Sequence, residues 1–161
     1  MQYLYAPWRD DYIKKDTKSA CVFCDILDNP QKDEENGVLY RASNYYIVMN
    51  RYPYTPGHFM VIPNKHLQTL DMVDPDLWID MSKAVQKSSA ILQQCLNPAG
   101  INLGMNIGDA AGAGISEHLH YHIVPRWQKD SNFITTIGQT RVYSTDFITI
   151  YKKLQKGFEK F

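Results

Sequence analysis

The stretch His118-Leu119-His120-Tyr121-His122-Ile123-Val124-Pro125 places three histidines at alternate positions. Successive side chains of an extended strand point to opposite faces, so the three imidazoles are predicted to share one face and the residues between them the other. Imidazoles titrate near neutral pH, attack phosphorus and exchange protons, and three in a row make a poor core. The pattern indicates a reaction centre for an anionic substrate. Three metal ligands, or three merely exposed histidines, are the alternatives.

Composition and charge are those of an ordinary globular chain. The 161 residues suffice for one domain, 44% of them are hydrophobic, and 17 basic residues balance 17 acidic ones. A neutral chain lacks the electrostatic footprint of a nucleic-acid-binding or membrane-surface protein. No apolar run approaches the roughly 20 residues of a membrane span, and the N-terminus lacks the features of a secretion signal. We therefore expect a cytoplasmic protein that binds a small molecule and neither nucleic acid nor a membrane.

Periodicity predicts a single α+β domain over residues 1–161. Alternating apolar residues between turn signals indicate about five strands, whose short connections imply antiparallel pairing, with helices on one face of the sheet. Asp74 and Pro75 begin the strongest predicted helix, and Asn97 and Pro98 end it. A C-terminal helix is expected over 144–160, and the aromatic residues of 1–15 indicate an arm that packs on the domain or on a second subunit. The strands are predicted at 38–41, 45–50, 58–63, 101–106 and 119–125.

Two further features accompany the histidines. The segment Gly108–Gly114 is rich in glycine and alanine, which lets backbone N–H groups approach an anion, although most such loops are only turns. Cys21 and Cys24 are separated by two residues, as in half of a zinc site. His66 and one triad histidine are the donors available to complete it. A reduced buried pair or a redox motif is the alternative.

The sequence from His118 to Trp127 resembles the signature of the histidine triad superfamily of nucleotide hydrolases and transferases. The segment Asn50–His58, with its two prolines and a glycine, and the Ala-Gly-Ala-Gly-Ile run at 111–115 resemble that family as well. Residues 4–9, 21–24 and 125–133 are similar to one branch, the bacterial diadenosine-polyphosphate phosphorylase-like proteins. Spacing alone would make Asn50 a turn residue and His58 the first residue of a strand.

The resemblance implies roles for individual residues. His120 matches the nucleophile that forms a covalent nucleotidyl–imidazole intermediate, and His122 matches the residue that contacts phosphate and the leaving group. Zinc-binding relatives imply a structural zinc ion on Cys21, Cys24, His66 and His118. The implied substrate-binding residues are Asn50, which binds ribose hydroxyls, and His58, Asn106, Gly112, Gly114, Ile115 and Ser116.

The resemblance also implies an HIT-like sheet that continues across a homodimer. The implied activity is hydrolysis or transfer at the α-phosphate of dinucleoside polyphosphates or related nucleotides. A non-catalytic nucleotide-binding or sensor protein with this fold is the alternative. Gly114 stands where many family members carry glutamine, and Ile115 where some carry serine or threonine. These departures weaken the assignment as a hydrolase relative to that as a phosphorylase, and the sequence leaves the acceptor, water or phosphate, open.

Overall fold

The computed structural model describes residues 21–128, 130, 133–138 and 145–161. The predicted arm over 1–15 lies outside these residues. The strands are β1 (Val38–Arg41), β2 (Tyr45–Met49), β3 (Phe59–Pro63), β4 (Gly100–Gly104) and β5 (Tyr121–Arg126). The α-helices are α1 (Val22–Asp28), α2 (Asp33–Asn36), α3 (Pro75–Leu96), α4 (Phe133–Thr136) and α5 (Phe147–Phe158).

The five strands form one antiparallel sheet in the order β1-β2-β3-β5-β4. This confirms the predicted α+β class. It places β5 between β3 and β4, and it leaves β4 at an edge of the sheet. Strand pairing in β5 begins at Tyr121, later than predicted. His118 and His120 therefore lie in the segment that leads into β5, and His122 lies in the strand itself.

The helices α3 and α5 cover one face of the sheet. The Asp74 carboxylate accepts N–H groups at the start of α3 and Pro75 follows it, as predicted, while Asn97 ends the helix with a φ of 48°. The carboxylate of Asp146 caps α5 in the same way. The apolar sides of both helices pack on the sheet and form the larger core, which includes Ile47, Met49, Phe59, Val61, Met81, Leu92, Ile123 and Leu154.

The opposite face carries His122, a smaller core and the short helix α1. Met60 of β3 pairs with His122 of β5, so these two side chains share a face. Phe23 and Ile26 of α1 pack on this face. Helices therefore lie on both faces, whereas the sequence predicted helices on one face only; the two longer helices do share a face. No helix in the described part of the chain is both long and apolar enough to cross a membrane.

Candidate active site and metal centre

Four metal-ligating side chains converge beside the histidine segment. The donor atoms of Cys21, Cys24, His66 and His118 all lie within 4.8 Å of one another. Nδ1 of His118 lies 3.4 Å from Sγ of Cys21 and 3.7 Å from Sγ of Cys24, and Nδ1 of His66 lies 3.3 Å from Sγ of Cys24. A tetrahedral zinc ion, with Zn–S near 2.3 Å and Zn–N near 2.0 Å, separates its ligands by about 3.3–3.8 Å. The donor set could hold a metal ion and fits zinc.

The second ring nitrogen of His118 supports this assignment. Nε2 lies 2.9 Å from the carbonyl oxygen of Pro63, so it carries the proton and donates it to that oxygen, and Nδ1 is left as the ligand atom. Burial lowers the pKa of His118, which keeps the ring neutral. Burial and the neighbouring Cys21 raise the pKa of the Cys24 thiol to about 11, so metal binding must displace a proton there.

The three triad histidines do not gather as three ligands of one ion. Nδ1 of His120 lies 2.9 Å from the carbonyl oxygen of His118, and Nδ1 of His122 lies 2.9 Å from Nε2 of His58. Within the described ranges, the group that could hold a metal ion is the Cys21, Cys24, His66 and His118 set. Of the triad, the structure gives His118 to this set and leaves the other two histidines for other chemistry.

His120 is held with one nitrogen open to chemistry. Its Nδ1–H donates to the carbonyl oxygen of His118, so Nε2 carries the lone pair. The ring is 5% exposed, and the Phe23 ring packs on it with centroids 5.2 Å apart. Burial lowers the pKa of His120, so the imidazole is neutral at neutral pH. A neutral, oriented imidazole is the form that acts as a nucleophile.

A chain of hydrogen bonds fixes the tautomer of His122. The backbone N–H of Tyr54 donates to Nδ1 of His58 over 3.1 Å, so Nε2 of His58 carries a proton. That nitrogen donates to Nδ1 of His122 over 2.9 Å, so Nε2 of His122 carries a proton in turn. This last N–H is buried and has no hydrogen-bond partner among the residues described. It is therefore available to donate a hydrogen bond to a ligand.

Burial also sets the charge of these two rings. It lowers the pKa of His58 to about 3 and that of His122 to about 4, with neighbouring histidines contributing in the same direction. Both rings are therefore neutral at neutral pH. His58, predicted to bind substrate, is 0% exposed and lies behind His122. The geometry makes it a residue that orients His122.

An open cavity of about 310 Å³ lies beside His122. Asn106, a predicted substrate-binding residue, lines it. Asn102 and Arg126 also line the cavity, although the sequence did not predict them as site residues. The alternation of side chains along β5 could have indicated Arg126, because it lies on the same face as His122 and Val124. The other lining residues are Tyr54, Thr55, Leu103, Gly104, Met105 and Val124.

The remaining predicted substrate-binding residues lie in two loops. The carbonyl oxygen of the Asn50 side chain accepts the backbone N–H of Tyr52 over 2.9 Å, so Asn50 occupies a turn. Gly112 has a φ of 86°, in the left-handed region that favours glycine. Ile115 packs against the small core of the histidine face. Gly114 and Ser116 belong to the same connection between β4 and β5, and the substrate contacts of all these residues stay predictions.

The HIT domain family model matches residues 31–129. The chain belongs to the histidine triad family. An AP-4-A phosphorylase of Mycobacterium tuberculosis is 38% identical to this HIT protein over 149 residues, which cover 88% of the chain and 76% of that relative. The family match and this relative support the conclusion that the HIT protein is an enzyme of the HIT type that acts on small nucleotides.

Solved structures resemble the HIT protein over most of its length. A Zn-bound histidine triad family protein from Mycobacterium smegmatis has a TM-score of 0.70 and 26% identity, over 88% of this chain and 94% of that one. A hypothetical histidine triad nucleotide-binding protein from Sulfolobus tokodaii has a TM-score of 0.70 and 27% identity, over 87% of this chain and 93% of that one.

Proposed function

We propose that this HIT protein transfers a nucleotidyl group from a dinucleoside polyphosphate, by way of a covalent intermediate on His120. One observation carries the proposal. A neutral imidazole with its Nε2 lone pair held ready, in His120, lies beside a second imidazole whose buried Nε2–H lacks a partner, in His122. The two ring centroids are 4.7 Å apart and the rings are nearly perpendicular. One ring can attack a phosphorus atom while the other donates to an oxygen on it.

The reaction consists of two displacements at the α-phosphorus. In the first, the Nε2 lone pair of His120 forms a bond to phosphorus, the bond from phosphorus to the bridging oxygen breaks, and that oxygen leaves with the electron pair. The Nδ1–H bond to the His118 carbonyl oxygen stabilises the positive charge that the ring acquires. In the second, an acceptor oxygen bonds to phosphorus and the electron pair of the N–P bond returns to Nε2.

The neutral state of His122 determines which leaving groups and acceptors can react without proton transfer to or from this ring. With its pKa lowered to about 4 by burial, His122 donates a hydrogen bond but is a poor source of a full proton. A polyphosphate departs as an anion and needs none. Inorganic phosphate likewise attacks through an anionic oxygen, whereas water must lose a proton to a base. This favours phosphate as the acceptor, in agreement with the similarity of the chain to the AP-4-A phosphorylase of M. tuberculosis.

The other predicted roles complete the proposal. Asn106 and the Gly112–Ser116 backbone contact the phosphate that His120 attacks, and Asn50 binds ribose hydroxyls. Cys21 and Cys24, with His66 and His118, hold a structural zinc ion. All four of its positions are filled by protein, so its contribution is to hold α1 against the histidine segment. The protein forms a homodimer whose sheet continues across the edge strand β4.

The test is His120→Asn, which keeps the approximate volume of the ring and removes the attacking nitrogen. Wild-type protein is incubated with diadenosine tetraphosphate, with and without phosphate, and the products are separated. We expect ATP and ADP with phosphate, and a loss of turnover of more than about 100-fold in the variant, with nucleotide binding retained. Activity within about tenfold of wild type would exclude His120 as the nucleophile. Nucleotide binding by the wild type without any turnover would favour the alternative of a nucleotide sensor.

A further inference from the structure

The cavity beside His122 extends along the strands away from the proposed nucleophile. On the histidine face, His122, Val124 and Arg126 follow one another along β5, and Asn102 pairs with Val124 from β4. At about 3.4 Å per residue, His122 and Arg126 lie roughly 14 Å apart along the strand. A single phosphate group cannot span that length, but a polyphosphate with a nucleoside can.

The far end of the cavity is polar and held in place. The Arg126 guanidinium donates to both carboxylate oxygens of Asp130, over 2.6 and 3.0 Å, and to the side-chain oxygen of Asn102 over 2.8 Å. Because the oxygen of Asn102 faces Arg126, its amide N–H₂ group is the part left for a ligand. The carboxylate of Asp130 offsets the charge of Arg126, so this end offers oriented donors without a strong excess of positive charge.

The walls between His122 and that end are largely apolar or aromatic. Tyr54, which is 44% exposed, and the buried Val124 line the cavity together with Met105. Tyr54 lies against the His122 ring, with centroids 5.6 Å apart. Apolar and aromatic walls around a few placed polar groups, with a volume near 300 Å³, are typical of a site for part of an organic ligand.

We propose that this cavity is the subsite for the departing half of the substrate, and that it binds the distal phosphates and second nucleoside of a dinucleoside polyphosphate. The proposal rests on the proposed function, since it requires displacement at a phosphorus atom bound between His120 and His122. His122 donates to the oxygen that leaves, so the leaving half must begin beside His122, where the cavity opens. Asn102 and Arg126 then select substrates with a long leaving group.

The test measures binding in the His120→Asn background, so that no ligand is consumed. Dissociation constants for AMP and for diadenosine tetraphosphate are determined by calorimetry on the full chain. We expect the dinucleotide to bind more than about tenfold more tightly than AMP, the effect of two or more hydrogen bonds and the wall contacts. Adding Asn102→Ala and Arg126→Ala should lower that ratio to within about threefold.

A second variant tests the same cavity by reducing its volume. A Cβ added at Gly104 meets no atom within 4 Å, so a side chain at this position begins in open space, and Gly104→Leu should occupy part of the cavity. This variant should lower the affinity for diadenosine tetraphosphate by about tenfold and change the affinity for AMP by less than about threefold. Lys153→Ala, on the exposed side of α5, is the control and should leave both affinities unchanged.

The outcomes separate the two proposals. An unchanged ratio of affinities in both cavity variants, or an equal loss of affinity for both ligands, would overturn the subsite and leave the role of His120 intact. The absence of any nucleotide binding, together with the absence of turnover in the wild type, would overturn the proposed function and the subsite with it.

Discussion

His58 is buried and neutral, and this makes the stability of the protein depend on pH. Its pKa is about 3 in the folded protein, lowered mainly by burial, against an ordinary value of 6.5. Between these values the unfolded chain binds a proton that the folded protein does not. The contribution of His58 to the free energy of unfolding is therefore most favourable above about pH 6.5. This contribution is lost progressively as the pH falls towards 3.

The variant His58→Gln tests this at one residue. Glutamine does not titrate, and its amide N–H₂ group can still donate to His122. We expect the free energy of unfolding to fall less between pH 7 and pH 5 in His58→Gln than in wild type, as measured by urea denaturation. His122 and the cysteine thiols titrate in both proteins and cancel in the comparison. Equal pH dependence in the two proteins would show that His58 is not a buried neutral imidazole.

The same residue orients His122, which gives a second prediction with an independent readout. His58→Phe removes the donor to Nδ1 of His122, so the proton of His122 is free to sit on either nitrogen. Turnover of diadenosine tetraphosphate should fall by about 10- to 100-fold, and His58→Gln should restore part of it. If both variants retain wild-type kcat, His122 does not need His58 to fix its tautomer.

At the scale of elements, the short helix α1 connects the candidate metal centre to the histidine face. Cys21 precedes α1, Cys24 lies within it, and Phe23 packs on the rings of both His118 and His120. A seven-residue helix has little stability of its own. The packing of Phe23 and Ile26 therefore holds it on the sheet, and a metal ion bound by Cys21 and Cys24 would add to this. Arg41 adds hydrogen bonds to the carbonyl oxygens that end it.

A cysteine substitution in α1 should act mainly on stability. In protein purified without chelators we expect one zinc per chain, and in Cys24→Ser a Tm lowered by at least about 5 °C, with activity per folded molecule changed by less than about threefold. Cys95→Ser, in α3 and outside the metal-ligating set, is the control. Less than about 0.2 zinc per chain, with both thiols of Cys21 and Cys24 freely titratable in the native protein, would leave this pair as ordinary reduced cysteines.

At the scale of the whole molecule, the sheet has an edge at β4 that is well suited to pairing. Leu103 in this strand is 47% exposed, and an edge strand presents unpaired backbone groups. An apolar side chain on such an edge is typical of strands that pair with another chain. Continuation of the sheet into a second copy would satisfy both the backbone groups and Leu103.

The oligomeric state tests this proposal. Leu103→Asp places a charge on the edge and should convert a dimer into a monomer at micromolar concentration, as measured by light scattering. Ile148→Asp is the matched control, because Ile148 is 62% exposed and lies on α5, remote from that edge. A wild-type protein that is monomeric at high concentration would contradict the dimer. A dimer that tolerates Leu103→Asp but not Ile148→Asp would contradict pairing through β4.

Local patterns in the chain predicted the five strands, the two longer helices and the antiparallel pairing, but not the strand order or the short helices. Asp74 and Pro75 begin a helix wherever it packs, and short turns between apolar runs enforce antiparallel neighbours. The alternation of His118, His120 and His122 indicated a shared face before any contact was known. These features depend on backbone geometry and near neighbours, so the amino-acid order suffices to predict them.

Only the tertiary structure shows which groups each histidine contacts. His118 turns its Nδ1 to two cysteines more than 90 residues away in sequence, and His122 takes its tautomer from His58, which spacing had marked only as the start of a strand. The cavity ending at Arg126 exists because β4 packs beside β5. The tautomer, the charge and the surroundings of an imidazole depend on groups that folding brings within about 3 Å of it. These groups lie far apart along the chain, so the pattern of the triad could not reveal them.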